Sequence, residues 1–250
     1  MQLFSYGIGV QRKEWCVRKQ NAEGFFRVYY ILSGEVTYRD AELEKRLEHG
    51  KLYVFPARTA YRIDHDPDRP IECLWFHMDL FPYDVSRLLE LDPTRPDQET
   101  LRALLDALCY EISGNRKKEK LCFVLAEALS LLICRDPSVR RPDPVLVRIL
   151  EYVRENLSAS ALNVADVSQH FGYSTAHFIR FFREKVGMTP YHYISTLRLS
   201  AAAKLLSKGQ TVCEVAASCG YADVKTFSRA FKKSYGVAPS LYTDFYRPQA

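Results

Sequence analysis

The sequence lacks any apolar run that approaches the roughly 18 residues a membrane-spanning helix requires. Its first fifteen residues, MQLFSYGIGVQRKEW, contain no basic segment followed by a continuous apolar stretch, as a secretory leader would. Both absences argue against a membrane protein, and we expect a cytoplasmic one. The composition is that of a globular protein, because 47% of the residues are apolar and 26% are charged.

Paired cysteines are missing as well. The seven cysteines are an odd number and include no CxxC pair, so neither a disulfide framework nor a zinc knuckle is predicted. A thiol-based alkyl acceptor or redox sensor would need clustered cysteines, whereas these are scattered along the chain. We expect reduced thiols that are mostly buried.

Positive charge is present, but it is unevenly distributed. The net charge of the chain is +5, and residues 144–250 alone have a net charge of +6. The remainder of the chain is therefore close to neutral. A basic domain attached to a neutral one favours nucleic-acid binding by the second part, although a charge of this size also occurs on ordinary protein surfaces.

Residues 1–96 have the pattern of a β domain. Three segments rich in β-branched and aromatic residues, FRVYYILSGEVTYRD, KLYVFPARTAYRID and IECLWFHMDLF, lie between Gly, Pro and Asp breaks. Several short strands at close spacing favour a sandwich or a barrel. The third segment has bulky side chains at odd and even positions alike, so we expect this strand to be covered on both faces.

A helical period replaces the strand pattern over residues 97–135. Leucines recur at helical spacing in DQETLRALLDALCYEIS, and EKLCFVLAEALSLLIC is apolar around most of its circumference. The two helices could pack on the β domain, on each other or on a second copy of the chain, and we expect a homodimer contact here. Residues 136–144, DPSVRRPDP, contain three prolines and are predicted to be a linker.

Residues 145–250 are predicted to be helical throughout, and two stretches within them are nearly the same. GYSTAHFIRFFREKVGMTPYHY begins at Gly172, and GYADVKTFSRAFKKSYGVAPSLY begins at Gly220. The alignment of the two copies changes by one residue in the turn, because Ala222 is extra in the second copy. An insertion within a helix would rotate every later side chain by about 100°. The unchanged spacing elsewhere therefore indicates helices on both sides of the turn.

Each copy has the signals of a helix-turn-helix unit. A short helix ends at a glycine, which adopts a left-handed conformation at little cost, and a capping residue, Ser174 or Asp223, then opens a second helix. Phenylalanines four residues apart would hold that second helix against the rest of its unit. These phenylalanines are Phe178 and Phe182 in the first copy and Phe227 and Phe231 in the second.

The opposite face of each second helix carries an arginine at the same place. Arg180 and Arg229 could each donate two hydrogen bonds to a guanine, and neighbouring cations would neutralise phosphates. A surface salt bridge, such as Arg180 with Glu184, is the competing interpretation. The predicted helix between the units would span roughly 24 Å. With a unit packed at each end, such a rod could place two recognition helices about 34 Å apart, as two successive major grooves require.

This half of the sequence resembles the AraC/XylS family of bacterial transcription factors. The resemblance covers residues 145–247 and rests on the paired units, on Arg198 and Leu205-Leu206 between them, and on CEVAASCGYADVKTFSRAFKKSYGVAPSLY. It implies that the base-facing residues are Ala176, Ile179 and Arg180 in the first recognition helix and Lys225, Ser228 and Arg229 in the second. The cations expected at phosphates are Arg183, Lys232 and Lys233. Polar residues are frequent in the family where Ala176 and Ile179 stand, so the first helix is expected to contact thymine methyl groups or to read little sequence.

The first half resembles, more weakly, the cupin-like sensor barrel of the same family. LSGEVTYR, HGKLYVFPARTAYRI and LWFHMDL follow the pattern found there. Metal-binding cupins use a His-x-His pair, which this sequence lacks, and Tyr61 stands where a histidine is frequent. We therefore expect no metal and no other cofactor, but an organic effector such as a sugar inside the barrel. The expected pocket residues are Arg27, Tyr29, Trp75 and His77.

The predicted fold is α+β and multidomain, with an N-terminal cupin-like β-barrel and two helices, then an all-α domain of two helix-turn-helix units joined by a linker helix. The predicted function is that of a sequence-specific transcriptional regulator, not an enzyme. It would bind double-stranded DNA at two adjacent major grooves, respond to a small-molecule effector and act with RNA polymerase. Activation is the family's usual output, and repression is left open. Two alternatives remain, a ligandless regulator whose first half dimerises or binds protein and a cupin-type enzyme with a DNA-binding tail.

Overall fold

The computed structural model describes residues 2–20, 25–114, 119–140, 143–159 and 162–246. It divides the chain into two compact units, residues 1–142 and 143–250, and this division falls within the segment predicted to be a linker. Arg141 and Pro142 of that segment, and residues 160–161 and 247–250 of the predicted last domain, lie outside the described residues. None of the helices in the described ranges is long and apolar enough to cross a bilayer.

Within the described residues, the first unit contains nine strands in two antiparallel sheets. The larger sheet has the strand order β1-β8-β3-β6-β9, and the smaller one has the order β2-β7-β4-β5. The strands are β1 (Gln2–Val10), β2 (Cys16–Lys19), β3 (Phe26–Ser33), β4 (Val36–Arg39), β5 (Glu44–Leu47), β6 (Leu52–Phe55), β7 (Tyr61–His65), β8 (Glu72–Asp79) and β9 (Leu89–Leu91).

The two sheets face each other across one apolar core. Ile31 and Phe55 of the larger sheet pack in the same buried cluster as Tyr38 and Ile63 of the smaller one. The chain passes from the larger sheet to the smaller at Gly34, where φ is +95° and a Cβ atom would lie 2.4 Å from a backbone oxygen. Glycine is required there because any side chain would overlap the neighbouring backbone.

The outer face of the larger sheet lies against the two helices of this unit. These are α1 (Glu99–Ser113) and α2 (Glu119–Arg135). Phe76 of β8 stacks on Tyr6 with ring centroids 6.4 Å apart, whereas Cys73 of the same strand lies in the core between the sheets. Burial raises the pKa of Tyr6 to about 12, and Cys122 of α2 adds to this effect. The expectation that β8 is covered on both faces is confirmed.

Helix α2 keeps part of its apolar surface exposed. Its buried side includes Ala126, Leu129 and Ile133, while Val124 is 53% exposed and Leu131 is 63% exposed. The other described elements of this unit leave that apolar face uncovered. The seven cysteines are free thiols. Three of them, Cys73, Cys122 and Cys219, are buried, two are half-buried and two are exposed, so the expectation that most are buried is met only in part.

The second unit is helical over its described residues. Its helices are α3 (Pro144–Glu155), α4 (Val164–His170), α5 (Thr175–Val186), α6 (Pro190–Ser207), α7 (Val212–Ser218), α8 (Val224–Tyr235) and α9 (Pro239–Tyr246). Asp143 caps α3, accepting hydrogen bonds from the backbone N–H groups of Val145 at 2.9 Å and Leu146 at 3.4 Å. The Asp143 carboxylate also lies 3.0 Å from the ammonium of Lys185 on α5.

Helix α6 has a helix-turn-helix unit packed at each end. Near its start, the ring of Tyr193 lies 5.5 Å from that of Phe182 on α5. Towards its end, Ala202 and Leu206 share a buried cluster with Phe227 of α8. The 18 residues of α6 correspond to a length of about 27 Å at 1.5 Å per residue. One helix thus joins two separately packed units.

Candidate nucleic-acid interface and interior site

The turns of the two helix-turn-helix units begin with the same two features, a left-handed glycine and a hydrogen bond back to the preceding helix. Gly172 has a φ of +73° and Gly220 a φ of +74°, both in the left-handed region that glycine favours. The residue after each glycine donates its backbone N–H to a carbonyl near the end of the preceding helix, at 2.8 Å from Tyr173 and at 3.0 Å from Tyr221. The start of each turn is therefore duplicated in geometry as well as in sequence.

The predicted capping residues begin both recognition helices. The Ser174 hydroxyl accepts a hydrogen bond from the backbone N–H of His177 at 3.3 Å, and the Asp223 carboxylate accepts one from that of Thr226 at 2.7 Å. The hydrogen bond from the backbone of Thr226 is the largest cause that lowers the pKa of Asp223. The extra residue of the second copy, Ala222, lies in the turn ahead of its cap.

The paired phenylalanines anchor each recognition helix to its unit. Phe178 and Phe182 have ring centroids 5.8 Å apart, Phe227 and Phe231 have theirs 5.6 Å apart, and all four side chains are 0% exposed. Because a helix advances by about 100° per residue, burial of the two phenylalanines turns the position midway between them, Arg180 or Arg229, most directly towards solvent.

The outward faces contain the predicted DNA-contacting residues, with two of them at the edge. Eight of the nine are exposed, and they are Ala176, Ile179, Arg180, Arg183, Lys225, Arg229, Lys232 and Lys233. Ile179 is 36% exposed and Ser228 is half-buried. Each of these two directly follows a buried phenylalanine, so each lies at the margin of the outward face rather than at its centre.

Arg180 and Arg229 lie at the centre of the two outward faces. Within the part of the chain that the structure describes, neither guanidinium is in an ion pair or a hydrogen bond. The structure does not pair Arg180 with Glu184 among the described residues. Both arginines remain available to a partner outside the chain.

Sequence reasoning missed one more residue of the first outward face. His177 is exposed and lies one turn before Arg180, with its ring centroid 5.1 Å from that of Tyr173. Its counterpart in the second copy is Thr226, which is also exposed. The three-residue spacing from Arg180 was the signal that could have identified this position.

The two outward faces differ in charge. Helix α8 contains Lys225, Arg229, Lys232 and Lys233 and has no acidic residue. Helix α5 contains Glu184 at the place that corresponds to Lys233, and its Lys185 is paired with Asp143. The second helix therefore presents more positive charge than the first.

The four predicted pocket residues lie side by side on β3 and β8, on the face of the larger sheet that turns towards the smaller one. Tyr29 is buried and the other three are half-buried. Arg27 is directly opposite His77, and Tyr29 is directly opposite Trp75, on the neighbouring strands β3 and β8. The guanidinium of Arg27 donates to the Tyr61 hydroxyl at 3.2 Å. Burial and, second, the charge of Arg27 lower the pKa of His77 to about 3, so this imidazole is neutral at physiological pH.

Sequence reasoning also missed a second interior cation, Lys19. This side chain is only 5% exposed, donates to the backbone carbonyl of Thr59 at 2.6 Å and lies 5.2 Å from the ring centroid of Tyr61. It stands at the end of the short strand β2, whose other residues are not buried. An alternation of apolar and polar residues along β2 therefore could not have predicted that Lys19 is buried. Among the described residues, no group of three or more His, Cys, Asp or Glu side chains could hold a metal ion.

Comparisons with known proteins agree with this geometry. A family model described as a helix-turn-helix domain matches residues 167–244. The transcriptional activator AarP of Providencia stuartii is 34% identical over 99 residues, which cover 39% of this chain and 73% of AarP. The transcriptional activator RhaR of Pectobacterium atrosepticum is 33% identical over 154 residues, covering 58% of this chain and 53% of RhaR. The chain spans about half the length of curated relatives such as RhaR.

A likeness over nearly the whole chain comes from a solved structure. ToxT from Vibrio cholerae matches with a TM-score of 0.58 at 15% sequence identity, over 96% of this chain and 97% of the ToxT chain. Another ToxT structure, of strain SCE256, has an unsaturated fatty acid bound. At this identity the likeness shows a shared fold, with β sheets in the first part and helix-turn-helix units in the second.

Proposed function

The chain belongs to the AraC/XylS family of transcription regulators, and on that premise we propose that it binds double-stranded DNA with α5 and α8 in two successive major grooves. The observation that carries the proposal is the repeated geometry around Arg180 and Arg229. Two turns that each begin at a left-handed glycine lead into a capped helix with a phenylalanine anchor. Each of these helices exposes, at the same point, an arginine without an ion pair among the described residues. Arginine in this setting is the residue type that most often reads guanine in the major groove.

The remaining residues of the outward faces divide by chemistry. Lys225 and Ser228 of α8, like Arg229, are proposed to face bases, and Ala176 and Ile179 of α5 to contact thymine methyl groups. Arg183, Lys232 and Lys233 are proposed to contact phosphates, which orients the protein without reading sequence. Because α8 has the larger positive charge, it is proposed to supply most of the salt-dependent affinity.

The DNA-binding half is proposed to be controlled by an organic effector inside the β sandwich, which we assign to the cupin-like class. Arg27, Tyr29, Trp75 and His77 supply donors and aromatic surface on two adjacent strands, and Lys19 adds a second interior cation. Such a lining suits a small polar molecule such as a sugar. The fatty acid bound to ToxT, which has the same fold, makes a carboxylate-bearing molecule the second candidate, and the two cations favour it.

A homodimer and recruitment of RNA polymerase complete the proposal. The exposed apolar surface of α2, including Val124 and Leu131, supports a contact with a second copy of the chain. AarP and RhaR are named transcriptional activators, which supports activation as the output. A protein that acts on chromosomal DNA in this way would work in the cytoplasm, as expected from the sequence.

The DNA-binding proposal is tested by footprinting on the DNA upstream of the protein's own gene. Wild type should protect two adjacent major grooves on one side of the duplex. Arg180→Ala and Arg229→Ala should each weaken binding by about 1–3 kcal/mol and remove protection at different base pairs. Arg102→Ala, an exposed arginine of α1, is the matched control and should bind as wild type does. If Arg180→Ala and Arg229→Ala also bind as wild type does, the assigned reading face is wrong.

The effector proposal is tested by thermal unfolding in the presence of sugars and of carboxylic acids. A compound that binds the native protein must raise its unfolding temperature. The rise should be lost in Arg27→Met and kept in Arg12→Met, a surface arginine of the same unit. If no compound of either class raises the unfolding temperature, the ligandless regulator is the better description.

A further inference from the structure

Arg198 lies near the middle of α6 and reaches the segment that leads into the first helix-turn-helix unit. Its Nε donates to the backbone carbonyl of Leu157 at 3.0 Å, and its Nη2 donates to those of Ala159 at 2.8 Å and Leu162 at 3.3 Å. All three acceptors lie between α3 and α4. A single side chain therefore ties the central helix to the start of the first unit.

The same guanidinium also contacts the turn of the second helix-turn-helix unit. It lies 6.0 Å from the ring centroid of Tyr221, which directly follows Gly220 in the turn between α7 and α8. A Cβ atom on Gly220 would stand 2.8 Å from Nη2 of Arg198, so the guanidinium occupies the space that a side chain there would need. Arg198 is thus in contact with both halves of the duplicated domain.

The chemistry of arginine suits it to join two parts at a fixed angle. Its guanidinium is planar, and its donors point in fixed directions, so three acceptors along one edge define its orientation. Its flat face can at the same time pack on an aromatic ring. Lysine has neither property, because its ammonium is a point charge on a flexible stem.

We infer that Arg198 is a positioning residue that sets the distance and rotation between α5 and α8, and with them the spacing of the two DNA half-sites that the protein accepts. The inference rests on the proposed function, in which α5 and α8 enter successive grooves. Successive base pairs differ by about 3.4 Å along the duplex and by about 35° around it. If Arg198 fixes the distance and rotation between α5 and α8, the protein would therefore discriminate against a half-site displaced by a single base pair.

The test measures affinity as a function of half-site spacing. Duplexes carry the footprinted site unchanged, with one base pair inserted, or with one removed, between the two protected grooves. Wild type should lose at least about tenfold in affinity on the altered duplexes, the scale of one lost base contact. The affinity of Arg198→Lys for the altered duplexes should be less than about threefold below its affinity for the unchanged site. Lysine does not fix the angle between α5 and α8, so the two helices can adjust to the altered spacing. A variant that is merely less folded would bind all three duplexes more weakly by the same factor and would keep the wild-type ratio.

A second variant with a matched control covers the case in which Arg198→Lys does not fold. Gly220→Ala and Gly172→Ala each place a methyl group at almost the same positive φ, but only the methyl group at position 220 would meet the Arg198 guanidinium. At position 172, nothing lies within 4 Å of a Cβ atom. Gly220→Ala should therefore reduce the spacing ratio, whereas Gly172→Ala should keep it. Thermal unfolding of each variant shows which of them are folded.

The outcomes separate this inference from the proposed function. If Arg198→Lys or, where it is unfolded, Gly220→Ala retains the wild-type spacing ratio, the positioning role is wrong while two-groove binding stands. A loss of the ratio in Gly172→Ala equal to that in Gly220→Ala also overturns it, because turn strain alone would then explain the effect. If wild type protects no pair of grooves, the proposed function itself is wrong, and the inference falls with it.

Discussion

Arg27 on β3 lies directly opposite His77 on β8, and its charge acts with burial to keep that imidazole neutral. The pKa of His77 falls to about 3, with burial as the larger cause. The Nδ1 atom of His77 is 3.1 Å from the Ser5 hydroxyl, so the neutral ring has a hydrogen-bond partner in the folded state. Protonation of His77 at low pH therefore favours the unfolded state.

The first prediction is that the β domain loses stability as the pH falls from about 6.5 towards 3, the window between the unfolded and folded pKa values of His77. In that window the unfolded chain binds the proton and the folded chain does not. Each such proton lowers the free energy of unfolding by at most about 1.4 kcal/mol per pH unit. Urea denaturation at pH 7.0 and about 4.5 should show a smaller loss for His77→Gln, while His192→Gln, at an exposed histidine, should behave as wild type. An unchanged loss in His77→Gln would contradict the prediction.

The second prediction concerns the phenylalanine anchors. Phe178→Ala and Phe227→Ala should each lower the free energy of unfolding by about 3–5 kcal/mol, because each removes a fully buried ring and leaves a cavity. Tyr191→Ala, at a side chain that is 72% exposed, should cost less than about 1 kcal/mol. Guanidinium denaturation measures all three. A cost for either phenylalanine as small as that for Tyr191 would show that the anchor does not hold its unit together.

The third prediction concerns the cap of α3. Lys185 lowers the pKa of Asp143 below 3.8, so the contribution of this carboxylate is present above that value and is lost as the pH falls through its folded pKa. Asp143→Ala should destabilise the helical half of the chain, residues 143–250, by about 1 kcal/mol at pH 7. Asp143→Asn keeps an oxygen that can cap the helix, so it should cost less than Ala and should flatten the pH dependence of unfolding below pH ~4. Equal losses for the two variants would contradict the assigned cap.

The fourth prediction follows from the difference between the two recognition helices. Glu184→Lys gives α5 the residue type that stands at the corresponding position of α8 and replaces a negative charge near DNA with a positive one. The affinity for the footprinted site should rise, and the salt dependence should steepen by about one phosphate contact. Binding measured by anisotropy at several salt concentrations tests this. Glu42→Lys, an exposed residue of the other unit, makes the same charge change and should leave the salt dependence nearly unaltered.

The helix-turn-helix units could be predicted from the sequence because their signals are local. Gly172 and Gly220 end one helix, Ser174 and Asp223 open the next, and each does so through bonds to residues a few positions away. The outward arginines follow from the helical period alone. The base-facing role of Ile179 stays a prediction, and the structure places this residue at the margin of the outward face, next to the buried Phe178.

The unpredicted features depend on contacts between distant parts of the chain. The acceptors of Arg198 are backbone carbonyls 36 to 41 residues away, and a carbonyl has no sequence identity that a pattern could reveal. The side of α2 that is buried could not be assigned either, because apolar residues surround that helix on almost every side. Lys19 is buried by strands that follow it in the sequence, which no alternation within β2 predicts.

The unequal charge of the two recognition helices has a kinetic consequence. Coulomb attraction acts over about 8–10 Å at ordinary salt, whereas the contacts of Ala176 and Ile179 act only at van der Waals distance. We expect the cations of α8 to draw the protein to DNA and so to set its association rate. The largely apolar surface of α5 would then act only after seating, through the time for which the complex persists. The second helix-turn-helix unit would thus govern the association rate, and the first would govern the dissociation rate.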